Sequence, residues 1–113
     1  MAGKFGWHSG TCKAAKLNLV GNNEISGAGA ISLDTSITWL VTTAGAAAVT
    51  LADGEEGQVK ILIMKTDGTG DATVTPTNLG NGATITFDDA GDCAMLVFTN
   101  SNWYMFGGTA TLA

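Results

Sequence analysis

The chain of 113 residues contains no arginine, one histidine, one proline and two cysteines, and only 13% of its residues are charged. Each shortage excludes something. Its basic residues are five lysines, Lys4, Lys13, Lys16, Lys60 and Lys65, outnumbered by ten acidic residues for a net charge of −5. Nucleic-acid binding is disfavoured, because phosphate contacts need a basic stripe and the best base-reading side chain is missing. Two cysteines, Cys12 and Cys93, cannot build a disulfide framework, and Cys93 is expected in the core. No segment approaches the length and apolarity of a membrane span, and the first ten residues lack a signal-peptide apolar stretch, so a cytosolic origin is expected. The low charge, against about 25% in typical soluble domains, predicts a surface suited to contact with other protein.

What is present is a β-rhythm. The length suits one domain, with little stability to spare unless copies associate. Residues 1–27 are rich in Gly, Asn, Lys and Ser and read as an extended N-terminal arm, with Leu17–Val20 as one short strand. From Ala28 onward, turn signals recur about every ten residues, the spacing of short strands in a sandwich or barrel. Residues 28–113 are therefore predicted to form an antiparallel β-sandwich or jelly-roll-like barrel. In Ser36–Thr42, alternation with period two predicts Ile37, Trp39 and Val41 on the inward face. Ala48–Leu51 follows as a strand, and Gln58–Lys65 groups Val59, Ile61 and Ile63. The other face of Gln58–Lys65 carries Leu62 and Met64, so this strand is either covered on both sides or turned towards a neighbouring subunit. Ala72–Thr75 should stop at Pro76, Ala83–Phe87 follows a glycine turn, and Cys93–Phe98 with Trp103–Phe106 should form a hairpin across Asn100-Ser101-Asn102. Helical periodicity is absent, and the Ala44–Ala48 piece is too short and broken by Gly45.

Candidate chemistry is thin. His8 sits in the arm near Ser9 and Cys12, where a rigid catalytic setting is not expected, and His8, Cys12 and Cys93 together leave zinc one ligand short. Asp88, Asp89 and Asp92, or Asp67 with Asp71, could gather oxygen ligands for calcium. Neither set has the spacing of a helix-loop-helix calcium loop, and both read as turn chemistry. No cofactor, metal site or catalytic residue is therefore assigned, and an enzyme is not expected. Trp7, Trp39, Trp103 and Tyr104 could form an aromatic platform for a sugar or another ring, but Trp103 and Tyr104 point to opposite faces of one strand, which puts at least one in the core. Phe5 and Trp7 are the aromatics of the arm, and such side chains serve best when docked on another surface.

From about Ala46 to Gly108 the order of landmarks resembles virion proteins of tailed phages, marine and cyanobacterial ones in particular. The landmarks are Val49-Thr50-Leu51-Ala52-Asp53-Gly54, Gly57-Gln58-Val59-Lys60, Thr73-Val74-Thr75-Pro76, Ile85-Thr86-Phe87-Asp88-Asp89-Ala90-Gly91-Asp92 and Asn102-Trp103-Tyr104. The resemblance implies a structural module of a capsid surface, fibre or spike, commonly trimeric, without catalytic residues. A capsid decoration or cement protein is the expectation, because the chain lacks the heptads or collagen-like repeats of a fibre shaft. It would bind the major capsid protein on the outside of the head as a homotrimer, with Phe5, Trp7, Leu17, Leu19 and Val20 at the capsid or subunit interface. The alternative is a tail-fibre or receptor-binding module whose loops, Asp67–Asp71 and Gly80–Gly82, meet a host glycan.

Overall fold

The computed structural model describes residues 15–113, and these contain ten β-strands and no helix. In chain order they are β1 (Asn22–Ser26), β2 (Gly29–Ala30), β3 (Ile37–Val41), β4 (Ala47–Leu51), β5 (Val59–Thr66), β6 (Ala72–Pro76), β7 (Ile85–Phe87), β8 (Cys93–Thr99), β9 (Asn102–Gly108) and β10 (Thr111–Leu112). Two five-stranded sheets face each other as a β-sandwich, the first ordered β1-β3-β5-β8-β9 and the second β10-β7-β6-β4-β2. The sandwich expected from the strand rhythm is present.

The strand directions are mixed rather than antiparallel throughout. From β1 to β6 each connection carries the chain to the opposite sheet, so consecutive strands never pair. Instead β1, β3 and β5 lie parallel in one sheet, and β2, β4 and β6 lie parallel in the other. This part of the chain therefore winds as three stacked two-strand coils, a pattern that turn spacing alone does not distinguish from a run of hairpins. Only the final third pairs antiparallel: β7 on β6, β10 on β7, β8 on β5 and β9 on β8. The β8–β9 hairpin matches its expectation. Its two-residue turn, Asn100 and Ser101, has φ of 52° and 63°, the left-handed geometry that matches the twist of a tight hairpin.

The coils are held at their corners by backbone hydrogen bonds and by the Thr42 hydroxyl. Thr42 N donates to Thr66 O at 3.0 Å, Gly68 N donates to Thr42 Oγ1 at 2.9 Å, and Ala47 N donates to Asp71 O at 2.9 Å. A Cβ on Gly68 would stand 2.2 Å from Thr43 O, and one on Gly70 2.2 Å from Ala46 N. The glycines of Asp67-Gly68-Thr69-Gly70-Asp71 thus let one corner lie directly on the corner beneath it.

The inward phase of the two longest parallel strands differs from expectation. On β3 the buried residues are Thr38 and Leu40, with Thr42 just beyond, while Ile37, Trp39 and Val41 lie on the outer face and are half-buried. On β5 Lys60, Leu62 and Met64 point inward, leaving Val59, Ile61 and Ile63 outside. Both faces of these strands are apolar enough to fit a core, so alternation alone could not choose between them. Cys93, expected in the core, is half-buried on the outer side of β8, with Ala94, Leu96 and Phe98 inside. The core is completed by Val49, Leu51, Val74, Ile85, Phe87 and Trp103. Trp103 is fully buried, donates Nε1–H to Ala52 O at 2.8 Å and meets Phe98 edge-on at 5.2 Å.

Strands β1, β2 and β10 carry no strand signal of their own in the sequence. The Leu17–Val20 segment expected as a strand is irregular, and the strand of that region is the polar Asn22–Ser26. Tertiary context decides this: Asn23 Oδ1 accepts from Thr35 Oγ1 (2.9 Å) and Thr38 Oγ1 (2.7 Å), while Ile25 packs against the core.

Three substitutions report on this architecture. Leu62→Ala should cost about 2–5 kcal/mol in chemical denaturation, whereas Ile61→Thr one position away should cost about 1 kcal/mol or less. Gly70→Ala should destabilise by about 1–3 kcal/mol, because the added methyl meets backbone that cannot give way. Equal losses at positions 61 and 62 would contradict the inward phase.

Candidate functional site

The two outer surfaces of the sandwich have different chemistry. Outside the second sheet, registered positions carry Ala48, Thr73, Thr86 and Thr111 in one row and Thr50 beside Thr75 in another. That is a hydroxyl-bearing face suited to water. Outside the first sheet, Ile37, Ile61 and Met95 form one row, Trp39, Ile63 and Cys93 a second, and Val59, Val97 and Tyr104 a third. Phe106 stands at its β9 edge, 56% exposed, with Met95 at 36%. The charged side chains on the outer side of this sheet are Glu24 on the edge strand β1, in register with Trp39, and Lys65 near the end of the central strand β5, paired with each other across β3 at 2.8 Å. An antiparallel or mixed sandwich exposes one face of each sheet to water, and polar residues are the usual occupants. A continuous apolar and aromatic outer face is the signature of a surface that another protein covers.

Residue phase explains how this face arises. Because β3 and β5 point Leu40, Leu62 and Met64 inward, their remaining β-branched and aromatic residues must project outward together. The parallel pairing of β3 and β5 then aligns Ile37 with Ile61 and Trp39 with Ile63. The sequence signal was the two-sided apolarity of Gln58–Lys65, which already allowed a neighbouring subunit.

Of the residues expected at an interface, Leu17 and Val20 are 83% and 80% exposed and Leu19 is half-buried. Phe5 and Trp7, together with His8 and Cys12, lie outside the described residues. Trp39 and Tyr104 are on the apolar outer face, while Trp103 is sealed in the core, so these three form no common platform.

The acidic loops act as scaffolding. Asp88, Asp89 and Asp92 bring carboxylate oxygens within 4.8 Å of one another. Asp92 Oδ2 accepts from the amides of Asp88 and Asp89 at 3.1 Å each, and its Oδ1 accepts from Thr109 Oγ1 at 3.2 Å. Burial pushes the Asp92 carboxyl up, but hydrogen bonds from Asp88, from the two amides and from Thr109 outweigh it and hold the group below its ordinary value. Asp88 is held above its ordinary value, first by its hydrogen bond to Asp92, then by desolvation and by repulsion from Asp89 and Asp92. These contacts tie the turn before β8 to the β9–β10 connection. The Asp67–Asp71 loop is a stacking corner, as its glycines require.

At one end of the sandwich, Leu33, Asp34, Asp53, Gly54, Glu55, Glu56, Gly57 and Gln58 line an open cleft of about 620 Å³. Several of its polar groups are already engaged. Asp53 accepts from Asn78 Nδ2 at 3.0 Å, Glu56 accepts from Thr99, and Gln58 bridges Glu55 N and Leu33 O.

Lys60 is the unusual ionisable residue. Its side chain is fully buried under the β2–β3 connection, where Nζ donates to Ser32 O at 2.7 Å, to Thr35 Oγ1 at 3.1 Å and to Thr35 O. Burial lowers its pKa from 10.5 to about 8, partly opposed by the attraction of Asp34. Three acceptors satisfy the three ammonium protons, so the lysine pins the loop ahead of β3.

No protein-family model matches the chain, and no curated protein matches it. Among the described residues, no helix is long and apolar enough to cross a membrane.

Lys60 gives this region a pH signature. Between about 8 and 10.5 the unfolded chain holds the lysine proton more tightly than the folded one, so this group makes stability rise with pH in that window. Denaturation midpoints at pH 7.5 and pH 10.5 should differ in that direction by more in the native chain than in Lys60→Met. An equal pH response in the two proteins would contradict the placement of Lys60.

Proposed function

We propose that this chain is a structural module of a phage particle, acting as a capsid decoration or cement protein. It binds the outside of the head as a homotrimer and stabilises the shell. The observation that carries this reading is the apolar outer face of the first sheet, where Ile37, Trp39, Ile61, Ile63, Val97 and Tyr104 stand together and the charge is limited to the mutually paired Glu24 and Lys65. Such a surface belongs to a protein that works inside an assembly. The low overall charge and the landmarks from Ala46 to Gly108 point the same way.

The mechanism requires no chemistry beyond binding. A protein that binds only the assembled shell stabilises it by RT ln(1 + [L]/Kd) per site, about 2.7 kcal/mol at a hundredfold excess over Kd, and the many sites of a shell add up. The hydroxyl-rich face of the second sheet would remain towards water, as an outward-facing surface of a particle must.

The test is addition of the purified chain to phage heads that lack it, followed by heating and by cryo-electron microscopy of the mixture. Saturable binding, density at three-fold positions of the head and a raised temperature of shell disruption are expected. Absence of head binding would overturn the reading, and binding to host glycans in its place would establish the receptor-binding alternative.

A further inference from the structure

The apolar face of the first sheet needs an occupant, and the chain itself supplies one with matching chemistry. All ten acidic residues lie after residue 14, whereas Lys4, Lys13 and His8 lie before it, together with Phe5 and Trp7. Residues 1–14 are thus basic and aromatic, and the body they precede is strongly acidic. Opposite charge steers the two together, and a pair of aromatic anchors is what a flat apolar face binds best.

The path of the chain next to residues 1–14 leaves the face of a second copy within their reach. Ala15 to Asn18 and Val20 are exposed, none of Ala15–Val20 belongs to a strand, and Leu17 and Val20 turn more than three-quarters of their surface to solvent. The chain thus joins the body at its surface, on the β1 edge of the first sheet, where Val20 O accepts from Ser36 N at 3.3 Å. Fourteen residues can reach about 46 Å when extended, against about 19 Å for the width of a five-stranded sheet, so length does not restrict them to their own sheet.

We propose that residues 1–14 of one copy pack across the outer face of the first sheet of a second copy, with Phe5 and Trp7 against the surface around Trp39, Ile61 and Tyr104. Copies are linked by exchanged arms, and the face that would otherwise be open to water is covered. This deepens the reading above by naming the partner of the apolar face. It rests on that reading only for the claim that copies associate.

The two cysteines are placed to test it. Cys93 lies on the outer face of β8, beside Ile63, and Cys12 lies in the arm. Treatment of the full chain with a short bismaleimide should give covalent dimers and larger species through Cys12 of one copy and Cys93 of another, identified by mass spectrometry of the linked peptides. Cys12→Ser and Cys93→Ser should each abolish this Cys12–Cys93 product. Ile61→Lys, an outward position, should leave the circular dichroism spectrum unchanged while removing the linked species. Trp7→Ala with Phe5→Ala should lower the solution mass, measured by light scattering, to that of a single chain.

Three results would overturn the proposal: a Cys12–Cys93 link confined to single chains, intermolecular linking that persists in Cys12→Ser, or a native chain that is monomeric in solution. Head binding is measured separately. Heads that bind a chain showing no arm exchange would overturn only this inference, while arm exchange without head binding would overturn only the assignment to the capsid.

Discussion

The structure depends on how the chain crosses between its two sheets. Through β6 it never doubles back on the strand it has just left, and each coil therefore rests on the one before it by parallel pairing and by contact at the corners. The corner contacts are close: backbone on backbone for Thr42 on Thr66 and Ala47 on Asp71, and the Thr42 hydroxyl on the Gly68 amide. That closeness sets the register of β3 on β5 and of β4 on β6 at once. Register then determines which side chains share a face, since a slip of one residue would exchange inside for outside along a whole strand. The antiparallel final third closes the stack, with β8 and β9 continuing the first sheet and β7 and β10 the second.

Lys60 belongs to the same constraint. An inward-pointing lysine on β5 is an awkward residue for a core, and it is accommodated because the loop ahead of β3 presents two carbonyls and a hydroxyl to it. Engaging all three protons reduces the desolvation cost of the buried ammonium without cancelling it, which is why burial still lowers the Lys60 pKa to about 8. Satisfied in this way, Lys60 holds β5 in the phase that places Leu62 and Met64 inside. The consequence for function is indirect but large: the same phase puts Ile61 and Ile63 outside, next to Ile37 and Trp39. One buried polar contact and one apolar docking face are two sides of a single strand.

The acidic residues separate into roles that composition could not distinguish. Asp67 and Asp71 flank a stacking corner whose glycines are required by close approach. Asp92 caps a turn and reaches Thr109, tying the entry of β8 to the end of β9. Asp53 and Glu56 hold Asn78 and Thr99 across the end of the sandwich. Carboxylates such as Asp53, Glu56 and Asp92, already occupied by amides and hydroxyls of their own and of distant segments, act as parts of the framework, and the face with unmet demand is the apolar one.

The sequence by itself determined the all-β character, the sandwich, most strand positions from Ile37 to Phe106 and the hairpin at Asn100-Ser101. Strand rhythm, β-branched and aromatic residues and turn chemistry are local properties, legible without knowledge of partners. It also showed that Gln58–Lys65 is apolar on both sides. The tertiary structure alone decided which side is the core, placing Thr38, Lys60 and Cys93 against expectation and turning Trp39 outward. It also decided that β1 to β6 run parallel within their sheets, and it recruited Asn22–Ser26 as a strand in place of Leu17–Val20. The reason is the same in each case. Inward phase and strand pairing depend on which distant segment lies alongside, and a period of two looks identical from either face.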